Sequence, residues 1–94
     1  MSRNHALPIP NQIRRCRRQR HLRLRDVAEL LSLRNGAHIS SWERGLKVPS
    51  LRSALRLSAA LYTPVEILFS DYFNEIRREI HKRKRQTNIN CHYE

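Results

Sequence analysis

The chain has 94 residues, with 19 Lys or Arg against 8 Asp or Glu, two Cys and two Gly, and a formal charge of +11. That length allows one compact domain with tails and excludes a second, and a domain so small buries only about 60% of its unfolded surface, which argues against a deep catalytic pocket. No stretch reaches the ~18 consecutive apolar residues of a membrane span, and residues 1–11 lack the apolar core of a secretory signal, so a cytoplasmic protein with no membrane partner is expected.

Residues 1–10 carry Pro8 and Pro10 without periodicity and read as a flexible basic arm. Asn11 stands where a helix N-cap belongs, and residues 12–20 place Ile13 and Cys16 on one face and arginines on the rest. The apolar pattern resumes over residues 25–31 with Val27, Ala28, Leu30 and Leu31. Residues 32–35 form a turn from which Asn35 caps a third helix; Ile39 and Trp42 supply its buried face. Gly45 ends that helix, because glycine tolerates the left-handed conformation that closes one.

Ser50 caps a fourth helix, with Leu51, Leu55, Ser58 and Leu61 along one side. Thr63-Pro64-Val65-Glu66 has the form of a capping box with proline at the first helical position, opening a fifth helix that buries Val65, Leu68 and Phe69. A sixth helix is predicted over residues 71–85. At about 100° per residue, Phe69, Tyr72, Phe73, Ile76 and Ile80 fall in one stripe that stops where His81-Lys82-Arg83-Lys84-Arg85 begins. Residues 86–94 are polar and expected to be disordered. No run alternates with period two, so the fold class is all-α.

Cys16 lies within a helical pattern and reads as a small core hydrophobe, while Cys91 and His92 lack the further Cys/His spacing of a zinc site. No metal and no cofactor are expected. Charge is unevenly distributed. Residues 1–25 hold eight Arg and no acid, residues 26–75 five bases and six acids, and residues 76–94 six bases and two acids. A near-neutral middle between two basic ends points to a folded module that meets a polyanion.

Two short helices joined by a tight turn describe a helix-turn-helix. Over residues 13–69 the sequence resembles the Cro/C1-type (XRE-type) family. The resemblance rests on Leu22, Val27-Ala28-Glu29 and Leu31, then Ile39-Ser40-Ser41-Trp42-Glu43-Arg44-Gly45, Pro49-Ser50-Leu51, Ala60-Leu61 and Leu68-Phe69. It implies a compact five-helix DNA-binding domain over residues 11–70, here with an extra C-terminal helix, in which the third helix (about 36–44) enters the major groove. It also implies that Arg17 pairs with Glu43 and fixes that helix to the body.

Helical geometry independently puts Ile39, Trp42 and Glu43 on one side of the third helix and Ala37, Ser40, Ser41 and Arg44 on the other. Ala37 suits a thymine methyl, Ser40 and Ser41 either base type, and Arg44 a phosphate. Asn35, Gly36 and His38 lie beside this face, and Lys47 and Arg52 follow it as phosphate contacts. The expected partner is double-stranded DNA and the expected function a small transcriptional repressor. The alternative is an antitoxin or adaptor that meets a protein partner through its last helix. An RNA-binding role is disfavoured by the lack of stacking aromatics, and no catalytic constellation suggests an enzyme. Phe73, Ile76 and Ile80 need an apolar cover, for which a homodimer is the expected arrangement.

Overall fold

Apolar side chains recurring at helical spacing leave this chain one way to bury them, helix against helix. The computed structural model describes residues 8–87 and contains, among them, six helices and no strand: α1 Ile13–Gln19, α2 Leu24–Leu30, α3 Ala37–Glu43, α4 Leu51–Leu61, α5 Val65–Leu68 and α6 Ser70–Thr87. No helix among these residues is long and apolar enough to cross a membrane. The core draws on every helix but the last: Ile13 from α1, Val27 and Ala28 from α2, Ile39 and Trp42 from α3, Leu57 and Leu61 from α4, and Leu68 from α5, joined by Leu31. Cys16 packs half-buried against this cluster; Cys91 lies outside the described residues.

Backbone ties close the bundle. The Gln12 N–H donates to the Leu68 carbonyl at 2.7 Å, which joins the start of α1 to the end of α5. The Ile9 N–H donates to the Gly45 carbonyl at 2.9 Å, and the Ile9 side chain is buried. The arm expected over residues 1–10 is therefore anchored at Ile9, whose buried side chain offsets the freedom the chain loses there. Residues 1–7 lie outside the described part.

Caps shift the predicted boundaries by about a residue. Gln12, not Asn11, is the N-cap of α1, although the Asn11 carboxamide still accepts from the Ile13 N–H at 3.1 Å. Gly36, not Asn35, precedes α3, and Asn35 Oδ1 accepts from the Ala37 N–H at 2.9 Å. In each case the Asx side chain serves the same helix start from one residue further out. The expected box at Thr63–Glu66 does not form. The Thr63 hydroxyl donates to the Leu61 carbonyl instead, and Pro64 precedes α5 without a side-chain cap.

The buried side of α4 is Ala54, Leu57 and Leu61; Leu51 and Leu55 are 75% and 55% exposed. Leu30, expected inside, is 60% exposed at the end of α2. Runs of leucine satisfy two helical registers at once, and the register that wins brings Leu57 into the same core cluster as Ile13 and Ile39. α6 runs through Gln86 to Thr87, two residues past the predicted end, with the Thr87 hydroxyl donating to the Arg83 carbonyl at 2.8 Å. None of its side chains is buried. It extends the molecule to 48 Å along its longest axis and raises the radius of gyration to 15.6 Å, against about 12 Å for a compact domain of this length.

Candidate nucleic-acid interface

The position of α3 is fixed from beneath. Trp42 and Ile39 lie in the core, and the Glu43 side chain, 1% exposed, accepts from Arg17 Nε at 2.5 Å and Arg17 Nη2 at 3.1 Å. Arg17 is itself buried, and its remaining Nη1 donates to the Leu22 carbonyl at 2.9 Å. Two charges removed from water are tolerable here because both ends are fully hydrogen-bonded and bidentate. Arg14, half exposed, adds a third bond to Glu43 at 3.2 Å. The Asn11 carboxamide donates to the Trp42 carbonyl at 2.8 Å, so α1 and the segment before it hold α3 at three points.

Both ends of α3 rest on glycine. A side-chain carbon at Gly36 would stand 2.8 Å from Leu24 Cβ, which lets the turn press against the start of α2. Gly45 has φ +73°, and a side-chain carbon there would collide with the Ile9 backbone. This left-handed conformation brings the chain out of α3 and under the Ile9 segment.

What remains outward on α3 is Ala37 and His38, both exposed, with Ser40 and Ser41 half-buried. The His38 ring lies 6.2 Å from the Trp42 ring at 32°, so it is steadied by the core tryptophan. Arg44 is exposed and its Nε reaches back to the Ser40 carbonyl at 3.4 Å. Lys47 and Arg52 are exposed on the segments that follow, and Asn35 and Gly36 stand at the N-terminal end of α3.

Two arginine-lined clefts lie at the two ends of this helix. One, of about 470 Å³, is bordered by Arg23, Arg25, Arg34 and Asn35 together with the carboxylates of Asp26 and Glu29, just before α3 begins. The other, of about 610 Å³, is bordered by Arg14, Arg15, Arg18 and Glu43, the last residue of α3. Arg15 and Arg18 belong to the arginine-rich side of the first helix expected to meet phosphates, whereas Arg25 and Arg34 were not singled out by sequence. Their signal was the overall arginine count, but only the fold gathers them beside α3. Arg23 is partly committed. Its side chain and its backbone N–H both donate to Asp26 and hold that carboxyl below its ordinary value, at the start of α2.

Other arginines are taken up by the fold. Arg20 Nε donates to the Leu61 carbonyl at 3.0 Å at the end of α4 and its guanidinium lies 5.3 Å from the Tyr62 ring centre. Arg56 donates to the Leu31 carbonyl at 3.3 Å at the end of α2. Each satisfies a carbonyl that a helix end leaves open and places positive charge at the negative end of the helix dipole.

Residues 13–68, more than half of the chain, match the helix-turn-helix family. The chain is a Cro/C1-type helix-turn-helix protein. The matched span runs from the first residue of α1 to the last of α5, so the family domain is the five-helix body and α6 is an addition to it. Comparison with curated proteins gives no match. Members of this helix-turn-helix family are DNA-binding regulators, and this chain carries that family's DNA-binding domain.

Proposed function

We propose that this chain is a sequence-specific regulator, a small repressor that occupies a duplex site and reads it in the major groove with α3. The observation that carries the reading is the placement of the two arginine-lined clefts. They stand at opposite ends of a seven-residue helix, about 10 Å long at 1.5 Å per residue, close to the ~12 Å width of the major groove. Phosphates of the two strands can then meet Arg25 and Arg34 on one side and Arg15 and Arg18 on the other, while Ala37, His38, Ser40 and Ser41 face the base edges. Phosphate contacts set orientation, and the α3 side chains set sequence. Two copies related by a two-fold axis would present their α3 helices to half-sites about 34–36 Å apart.

Selection of bound sites from a random duplex pool tests this. The expected result is enrichment of one palindromic site, with Ala37→Gln and Ser41→Gln changing the preferred bases while leaving the unfolding midpoint nearly unchanged. A pool that shows no enrichment, or variants that retain the original preference, would overturn it.

A further inference from the structure

We propose that the C-terminal half of α6, residues 77–85, is a second binding surface for the phosphate backbone of duplex DNA, separate from the α3 face and indifferent to sequence. Six bases stand here, Arg77, Arg78, Lys82, Arg83, Lys84 and Arg85, against one acid, Glu79. All six are exposed except Lys84, which is half-buried. In the five-helix body the fold takes arginines up, Arg17 on Glu43 and Arg20 and Arg56 on carbonyls at helix ends. Among the described residues, no ion pair and no side-chain hydrogen bond engages the six bases of α6. The helix dipole does not account for them, because its effect fades beyond the last turn and so reaches Lys84 and Arg85 but not the other four.

Charge density identifies the partner. Six bases less one acid leave five positive charges over a rise of about 12 Å, one per ~2.4 Å, against one negative charge per ~1.7 Å along duplex DNA. An anionic membrane is the other extended polyanion, but a helix that lies on one needs apolar side chains on the same turns as its bases. The apolar stripe of α6 ends at Ile80, and residues 81–87 contain no apolar side chain. At about 100° per residue, the bases at 82–85 point to four sides of the helix, so no side of these turns is fit to enter the acyl region. Phosphates, in contrast, can be met from any of those sides, because backbone contacts position a protein without reading bases. Such a surface holds the chain on any duplex while α3 samples for its site. The inference rests on the DNA-binding proposal for the class of partner alone; α3 has no part in it.

Limited acetylation of the full chain, read by mass spectrometry, tests this residue by residue, because the chain has three lysines, Lys47 beside α3 and Lys82 and Lys84 on α6. With a random-sequence duplex at low salt, Lys82 and Lys84 are expected to react about fivefold more slowly or less, and to regain their reactivity as salt is raised. In anisotropy titrations, replacing Lys82, Arg83, Lys84 and Arg85 together by Gln should weaken binding to that duplex about tenfold or more and flatten the salt slope by about 2–4. The site enriched from a random pool should stay the same, and the unfolding midpoint should hold, since α6 buries none of its side chains. Arg83→Lys with Arg85→Lys, which keeps the charge, should bind like the wild type. Lysines 82 and 84 that stay reactive on the duplex, a glutamine variant with wild-type affinity and slope, or protection by phosphatidylserine vesicles without protection by the duplex would each overturn the proposal. Protection of Lys82 and Lys84 with Lys47 left reactive and no site enriched would uphold it and count against α3 instead.

Discussion

Glu43 is the residue through which α1 governs the pose of α3. Its carboxylate is shut away from water and is satisfied chiefly by Arg17, with Arg14 as a half-exposed second donor. Removing Arg17 leaves a buried negative charge with one flexible partner, so Arg17→Leu is expected to cost about 3–5 kcal/mol in urea unfolding, and Arg14→Ala less than about 1 kcal/mol. Asp26 offers a pH test of a different kind. Because Arg23 lowers its folded-state pKa, the stabilisation it brings is complete above its unfolded value near 3.8 and is lost as pH falls through the lower folded value. The unfolding midpoints of wild type and Asp26→Asn should therefore differ at pH 7 and converge only in stronger acid, below the lowered folded-state value of Asp26. A gap that persists in acid would show that the carboxylate's charge is not what matters.

At the scale of elements, α4 shows how a leucine-rich helix resolves two competing registers. Leu57 is fully buried and Leu55, two residues away, is more than half exposed. Leu57→Ala is expected to cost about 2–5 kcal/mol and Leu55→Ala less than about 0.5 kcal/mol, measured by denaturant unfolding. Helix ends carry a second test. Ser32 has φ +60° at the close of α2, where an L residue is strained, so Ser32→Gly should stabilise the fold by about 0.5–1 kcal/mol. The six helices and the α3 face were legible in sequence because Ile39, Trp42 and Gly45 punctuate it unambiguously. The side of α4 was not, because Leu51, Leu55, Leu57 and Leu61 allow two stripes and only tertiary packing chooses between them. Nor could sequence show that Asn11 bonds the Trp42 carbonyl, a contact across 31 positions that a local capping rule absorbs without remainder.

Over the whole molecule, formal charge overstates what is free to meet DNA. Arg17, Arg20 and Arg56 hold carbonyls or Glu43, and Arg23 is shared with Asp26. The arginines left near α3 are those of the two clefts, with Arg44, Lys47 and Arg52 beyond them. If a dimer neutralises about 6–10 phosphates, the logarithm of affinity should fall with the logarithm of salt concentration at a slope of about −5 to −9, or roughly 10³–10⁵-fold between 50 and 200 mM. Arg15→Ala and Arg25→Ala should each flatten that slope by about 2 in a dimer without altering the selected site, whereas Arg20→Ala should act through stability alone. Fluorescence anisotropy titrations across salt concentrations separate these outcomes.

The chain's two glycines, Gly36 and Gly45, stand at the two ends of α3, each with neighbouring atoms where a side chain would have to go. Together with the buried Glu43 they mount this helix at its ends and underside while leaving Ala37 and His38 exposed on its outer side. Divergence among descendants of such a chain can therefore proceed unevenly. On the proposed reading of DNA by α3, positions 37, 38 and 41 can drift toward new operators while 36, 43 and 45 are held, so a duplicated copy can acquire a different target without first rebuilding its scaffold.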